Sequence, residues 1–150
     1  VVRADPAVRR VQVQREQRLD GRRERHQRLG LGRGEVEAVA VRSGIRNGTV
    51  HVFNIGSTGV VGTIEYEPGL ERDLPEMLDR LIPPSLDYGH ERAWNDGNGH
   101  SHLQATMMGP EITVPFDDGL LMLGTWQQIF HLEADIKPRN RRLIVTVMGE

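Results

Sequence analysis

Residues 95–116 read "NDGNGHSHLQATMMGPEITVPF". The reading of this stretch as strand sets the fold, because everything after it is strand-like too. Taken with a period of two, His100, His102, Gln104 and Thr106 fall on one side. Ser101, Leu103, Ala105 and Met107 fall on the other, a set apolar enough to face a core. Gly109-Pro110 then makes a turn, and "EITVPF" alternates as a second strand. Upstream, Asp96-Gly97 and Asn98-Gly99 suit tight turns, since glycine tolerates positive φ. The reading is therefore turn, strand, turn, strand, with His100 and His102 facing the same way.

Working outward, "LMLGTWQQIFHLE" (121–133), broken at Gly124-Thr125, and "RRLIVTVMG" (141–149) continue the strand series. Asp118-Gly119 and Pro138 supply turns between them. Toward the N-terminus the pattern changes. "LERDLPEMLDRLIPP" places Leu70, Leu74, Met77, Leu78 and Leu81 on one helical face and stops at Pro83-Pro84. A loop is expected from Ser85 to Gly99. "GSTGVVGTIEYE" (56–67) is punctuated by glycine and ends as a strand. "TVHVFN" (49–54) alternates, with Asn47-Gly48 as a turn before it. "EVEAVAVRSG" (35–44) reads as a helix capped by Gly44. Many strands with one or two helices define an α+β fold, here a compact single domain around a mixed sheet.

The 150 residues suffice for one domain with a real core, and aromatics at 5% mean a core of Val, Leu, Ile and Met. A net charge of −2 argues against nucleic acid as the main partner. With no Cys there are no disulfides or thiolate metal sites. No apolar run is long enough to span a membrane and no signal peptide is seen, so the cytoplasm is the default. Charge is uneven: residues 1–50 hold twelve Arg against six acids, and residues 51–150 hold seven basic residues against fifteen acids. Between Gln14 and Gly34 little is apolar beyond Leu19, Leu29 and Leu31, too little to offset the entropy of ordering. Residues 1–34 are expected to be a poorly packed segment, a basic arm, or the product of a frame shift restored near residue 36. Residues 35–150 form the domain.

Two imidazoles on one strand face can ligate one metal ion, and His90 in "DYGHE" is a third candidate. A polar turn whose imidazoles only hydrogen-bond is the plainer alternative. Glu65, Glu67 and Asp96 are candidates for oxygen ligation or for fixing an imidazole tautomer. Asn98 is either a turn residue or a substrate contact. Arg139, Arg141 and Arg142 beside Asp135 suit a phosphate, or equally a solvated strand end. Ser57 and Thr58 after Gly56 offer hydroxyls and backbone N–H groups to an anion. Trp126 is a stacking surface or a core residue. His51 and His131, inside strand patterns, read as packing or surface residues. No phosphate-loop or dinucleotide fingerprint is present.

The chain resembles the YjbQ-like family. The resemblance is carried by "GSTGVVGTIEYEPGL", "DYGHERAWNDGNGHSHLQATMMGPEITVPFDDGLLMLGTWQQIF" and "PRNRR", with "RRVQVQ" (9–14) similar to the family's first strand. The resemblance implies an α+β fold, a homotrimer and a secondary thiamine-phosphate synthase activity that joins a pyrimidine diphosphate to a thiazole phosphate. Many members carry His-Thr-Thr where this chain has Gly56-Ser57-Thr58. His100 is then expected to replace the missing imidazole, so that His90, His100 and His102 hold a divalent ion, zinc-like or magnesium. Glu65, His102 and Asp96 are the expected catalytic groups. Ser57, Thr58, Asn98, Trp126, Gln127, Arg139 and Arg141 are expected to bind a small phosphorylated substrate. The alternative is a non-catalytic metal or small-phosphate binding protein.

Overall fold

The computed structural model describes residues 7–14, 32–84 and 87–150, with residues 7–14 described as backbone only. These residues form seven strands and four helices: β1 (Ala7–Gln14), α1 (Arg33–Ser43), β2 (Asn47–Ile55), β3 (Gly59–Glu65), α2 (Pro68–Leu81), α3 (Gly89–Trp94), α4 (Gly99–Met108), β4 (Glu111–Asp117), β5 (Leu120–Leu121), β6 (Gln127–Glu133) and β7 (Arg142–Gly149). The α+β fold holds. Five strands make one sheet in the order β1-β7-β2-β4-β5, and β3 and β6 make a separate ribbon. The five pairings among the described residues are antiparallel.

Alternation explains the large sheet. Val50 and Val52 of β2, Val114 and Phe116 of β4, and Leu143, Val145 and Val147 of β7 share one face. That face packs on Val36, Val39 and Ala40 of α1 and on Val61 and Ile129 of the ribbon. The ribbon's other face presents Val60, Phe130 and Leu132 to Leu78 of α2 and Ala105 of α4. The ribbon thus lies between the large sheet and the α2–α4 pair. Helix α1 ends at Gly44, whose φ of 75° is the left-handed cap that the sequence predicts. Arg33 and Glu37 of α1 clasp Leu121 of β5, its carbonyl and its N–H respectively.

Three expectations are corrected. Residues 99–108 are a helix, not a strand. Their buried positions, His100, Ser101, Gln104 and Ala105, recur with a helical period, and Leu, Gln, Ala and Met are strong helix formers. The segment 85–99, read as loop, contains α3. Asn47-Gly48 is not a turn but the start of β2, where Gly48 pairs closely with Gly149. A Cβ on Gly48 would run into the Met148 carbonyl, so the close approach of two backbones explains that glycine. Of the Arg-rich segment, residues 15–31 lie outside the described residues. Among the described residues no helix is long and apolar enough to cross a membrane.

Candidate functional site

The site forms where four pieces of chain converge: the turn 56–58 between β2 and β3, the end of β6 with the connection to β7 (133–141), α3 with the loop that follows it, and the start of α4. Buried Asn54 at the end of β2 sets the turn. Its Nδ2 donates to the Gly56 carbonyl at 3.0 Å, and its Oδ1 lies 3.1 Å from His131 Nε2. Because the amide nitrogen is used by Gly56, the oxygen faces His131, and His131 Nε2 must carry the proton. Burial lowers the His131 pKa from 6.5 to about 4; nearby Glu133 works against this and Arg141 adds to it. Gly56 has φ 135°, and a side chain there would collide with the Arg141 guanidinium.

Arg141 is clamped. Its Nε and one terminal nitrogen both donate to Glu133, the latter at 2.7 Å to Oε1, and the same terminal nitrogen donates to Thr58 Oγ1. Thr58 Oγ1 also lies 3.4 Å from Glu133 Oε1 and 3.3 Å from Asp135 Oδ2. Asp135 accepts from Arg139 Nε at 2.8 Å and from the Lys137 N–H at 3.1 Å. Burial pushes the Asp135 pKa up, but the Lys137 N–H, Arg139 and Asn98 together outweigh it and hold the carboxyl below its ordinary value.

The histidine half meets this network through Asn98, which is buried. His90 Nε2 lies 3.1 Å from Asp96 Oδ1, and the His90 and His102 rings are tilted at a centroid distance of 4.7 Å. In one amide orientation Asn98 donates to Asp135 Oδ2 at 3.4 Å; in the other its nitrogen reaches His90 Nε2 at 3.1 Å and Asp96 Oδ1 at 3.0 Å. Asn98 therefore stands between the imidazole pair and the Arg139–Asp135 pair.

The fold brings together Ser57 and Thr58 on one turn with His90, Asp96, Asn98, His102, Arg139 and Arg141. It separates others. On a helix, residues two apart point about 200° from each other. His102 meets His90, while His100 is buried beside Ser101, its Nε2 3.4 Å from the serine Oγ. The pairing of His100 with His102 on one face fails for that reason. Glu65 pairs with Gln127 at the far end of the ribbon, whereas Gly59 pairs with Glu133 at the near end. Six residues of strand put Glu65, Gln127 and the exposed Trp126 roughly 20 Å from the cluster. Gln127 there donates to Thr63 Oγ1 at 2.9 Å. Asn54, Glu133 and Glu91 enter the network although no role is expected of them from the sequence, and His131, expected to pack or face solvent, joins them. Among the described residues no group of three or more His, Asp or Glu side chains is arranged to hold a metal ion. Glu133 and Asp135, the two neighbouring carboxylates, are already matched by Arg141 and Arg139. A three-imidazole site of His90, His100 and His102 does not fit this geometry.

A layered α+β domain with a polar cluster of imidazole, carboxylate and guanidinium at one end of its β3–β6 ribbon defines the class. The chain matches the family described as "UPF0047 protein YjbQ-like" over residues 19–150, and it belongs to that family. A UPF0047 protein of Methanothermobacter thermautotrophicus is 44% identical over 115 residues, covering 77% of this chain and 78% of that one. Another, from Archaeoglobus fulgidus, is 41% identical over 103 residues, covering 69% and 79%. A solved YbjQ-like protein of unknown function from Sulfolobus solfataricus P2 superposes with a TM-score of 0.84. It is 31% identical, with 97% of this chain and 100% of that chain covered.

Proposed function

We propose that this protein binds a small phosphorylated molecule at the His90–Arg139 cluster, and that its reaction is the thiamine-phosphate synthase type of transfer. The observation that supports this reading is the position of Asn98, whose amide reaches Asp135, the partner of Arg139, in one orientation and the Asp96-paired His90 in the other. In such a transfer the thiazole ring nitrogen forms a bond to the pyrimidine methylene carbon. The bond from that carbon to the diphosphate oxygen breaks, and pyrophosphate leaves with the electron pair. Arg139 stabilises the departing anion, the Ser57 hydroxyl and the 56–58 turn line its path, and His90 and His102 donate hydrogen bonds to its oxygens. A divalent ion belongs to this reading only as one carried by the substrate's phosphates. Magnesium bound that way needs one or two protein carboxylates, for which Asp96 is suited. The same reading takes the assembly as a homotrimer in the cytoplasm.

A second reading, binding without turnover, is favoured by one observation. Both donor edges that Arg141 uses are spent on Glu133 and Thr58. That leaves Arg139, which is 42% exposed, as the cation for a ligand.

The test is incubation with a pyrimidine diphosphate and a thiazole phosphate, measuring coupled product and pyrophosphate. Equal amounts of both are expected. His102→Ala should lower kcat about 100-fold, the scale of a lost acid–base or hydrogen-bonding group. Arg139→Ala should raise KM for the diphosphate about tenfold, a charge-assisted bond discounted for exposure. Pyrophosphate binding without product at saturating substrate would select the second reading. Absence of both would sink the pair.

A further inference from the structure

Glu91 is one residue past His90 on α3, and its carboxylate is committed to the loop that follows. Oε2 accepts from the Gly97 N–H at 2.7 Å and Oε1 from the Gly99 N–H at 2.6 Å. These amides flank Asn98 and follow Asp96, the two loop residues that meet His90 and Asp135. The loop needs such an anchor. It leaves α3 through Asn95, a non-glycine residue at φ 51°, and turns again at Gly97, φ 80°. Helix α4 starts at Gly99 without a cap bond from its own Asn98 side chain. Glu91 takes the first amide of that helix instead, an end where a negative charge is stabilised. The fit is close: a Cβ on Gly99 would lie 2.7 Å from Glu91 Oε1 and 2.9 Å from Tyr88 Cβ, so only glycine lets the clamp shut.

We propose that Glu91 is a positioning residue that locks the 95–99 loop, and thereby fixes Asp96 on His90 and Asn98 between the imidazole pair and Asp135. Both contacts depend on where residues 97 and 99 are held, and Glu91 accepts from both of those amides. Its catalytic consequence rests on the transferase reading above; its structural consequence does not. Displacement of reacting groups by about 1 Å costs on the order of 100-fold in rate. The loss should fall on kcat, because Arg139, the anion contact, is held by Asp135 and not by Glu91.

The experiment compares wild type, Glu91→Ala and Glu91→Gln in the full chain, by amide hydrogen exchange, imidazole NMR resonances and coupling kinetics. In Glu91→Ala the Gly97 and Gly99 amides should exchange at least about tenfold faster. The Val145 and Val147 amides of β7 should be unchanged, marking an intact fold. The His90 and His102 resonances should shift, and kcat should fall about 100-fold with KM within about threefold. Glu91→Gln keeps one acceptor oxygen and should recover part of each effect. Unchanged exchange at Gly97 and Gly99 overturns the clamp. Faster exchange with unmoved imidazole resonances overturns the positioning role. A wild type without turnover removes the transferase reading, and the exchange and imidazole data then decide the role of Glu91 alone.

Discussion

Arg141→Ala is expected to lower the unfolding free energy by about 3–5 kcal/mol, the cost of leaving a buried carboxylate without its cation. Glu133 is 2% exposed, and both its carboxylate oxygens accept from Arg141. Removing the guanidinium also strips Thr58 Oγ1 of a donor. Two partners of Glu133 remain, the Asp135 N–H at 2.9 Å and the Thr58 hydroxyl at 3.4 Å, and they pull the loss toward the lower end. Arg141→Lys should recover only part, because an ammonium cannot serve both oxygens and the threonine from one planar fork. The informative control is Arg141→Ala combined with Glu133→Gln. A neutral amide at 133 no longer needs a cation, so the double variant should be more stable than Arg141→Ala alone. Urea unfolding of wild type and the three variants at pH 7.5 gives these values. A loss below about 1 kcal/mol for the single variant would mean that the pair behaves like an exposed ion pair, against its burial.

That prediction concerns residues the sequence hardly advertises, and the contrast with what it does advertise is physical. Strands β2 and β7 are legible because their buried positions are consecutive valines at every second residue, Val50 and Val52, Val145 and Val147. Helix α1 is legible from Gly44. Helix α4 is not, because its buried side is small and polar: Gly99, His100, Ser101, Gln104 and Ala105. No hydrophobic period exists to be read there. The helix is seated partly by hydrogen bonds instead, Gln104 Nε2 donating to Asp79 Oδ1 and to the Ile82 carbonyl, each at 3.1 Å. A strand over that one segment would put His100 beside His102, whereas the helix turns it away. Motif residues His90, Asp96, Asn98, His102 and Arg139 do lie together in one cluster. Their supports did not show, since Asn54 and His131 are 77 residues apart in the chain and only the packing of ribbon on sheet joins them.

His131 is the support whose effect should be read from pH. Its folded pKa is about 4 against 6.5 in the unfolded chain. The buried neutral imidazole therefore stabilises the protein fully above pH 6.5. Below that value the unfolded chain takes up a proton that the folded one refuses, and stability falls until the pH passes about 4. At 1.36 kcal/mol per pH unit the window is worth roughly 3 kcal/mol. The carboxyl of Asp135, held below its ordinary 3.8, withdraws its own stabilisation only at still lower pH, so the two effects separate. Gln at 131 can still donate to Asn54 Oδ1 and does not titrate. Urea unfolding from pH 7.5 to 4.5 should then show a steeper loss in wild type than in His131→Gln, and parallel curves would refute the buried neutral histidine. Arg141 makes a sharper demand. It disfavours the imidazolium, while Glu133 favours it. In Arg141→Ala the cation is gone and Glu133 is unpaired, so a protonated His131 becomes a substitute partner for that carboxylate. The stability gap between wild type and Arg141→Ala should accordingly narrow as the pH drops from 7.5 to 5.5. A gap that stays constant would show that His131 and the Glu133–Arg141 pair do not share one electrostatic environment, although His131 and Glu133 sit on one face of β6.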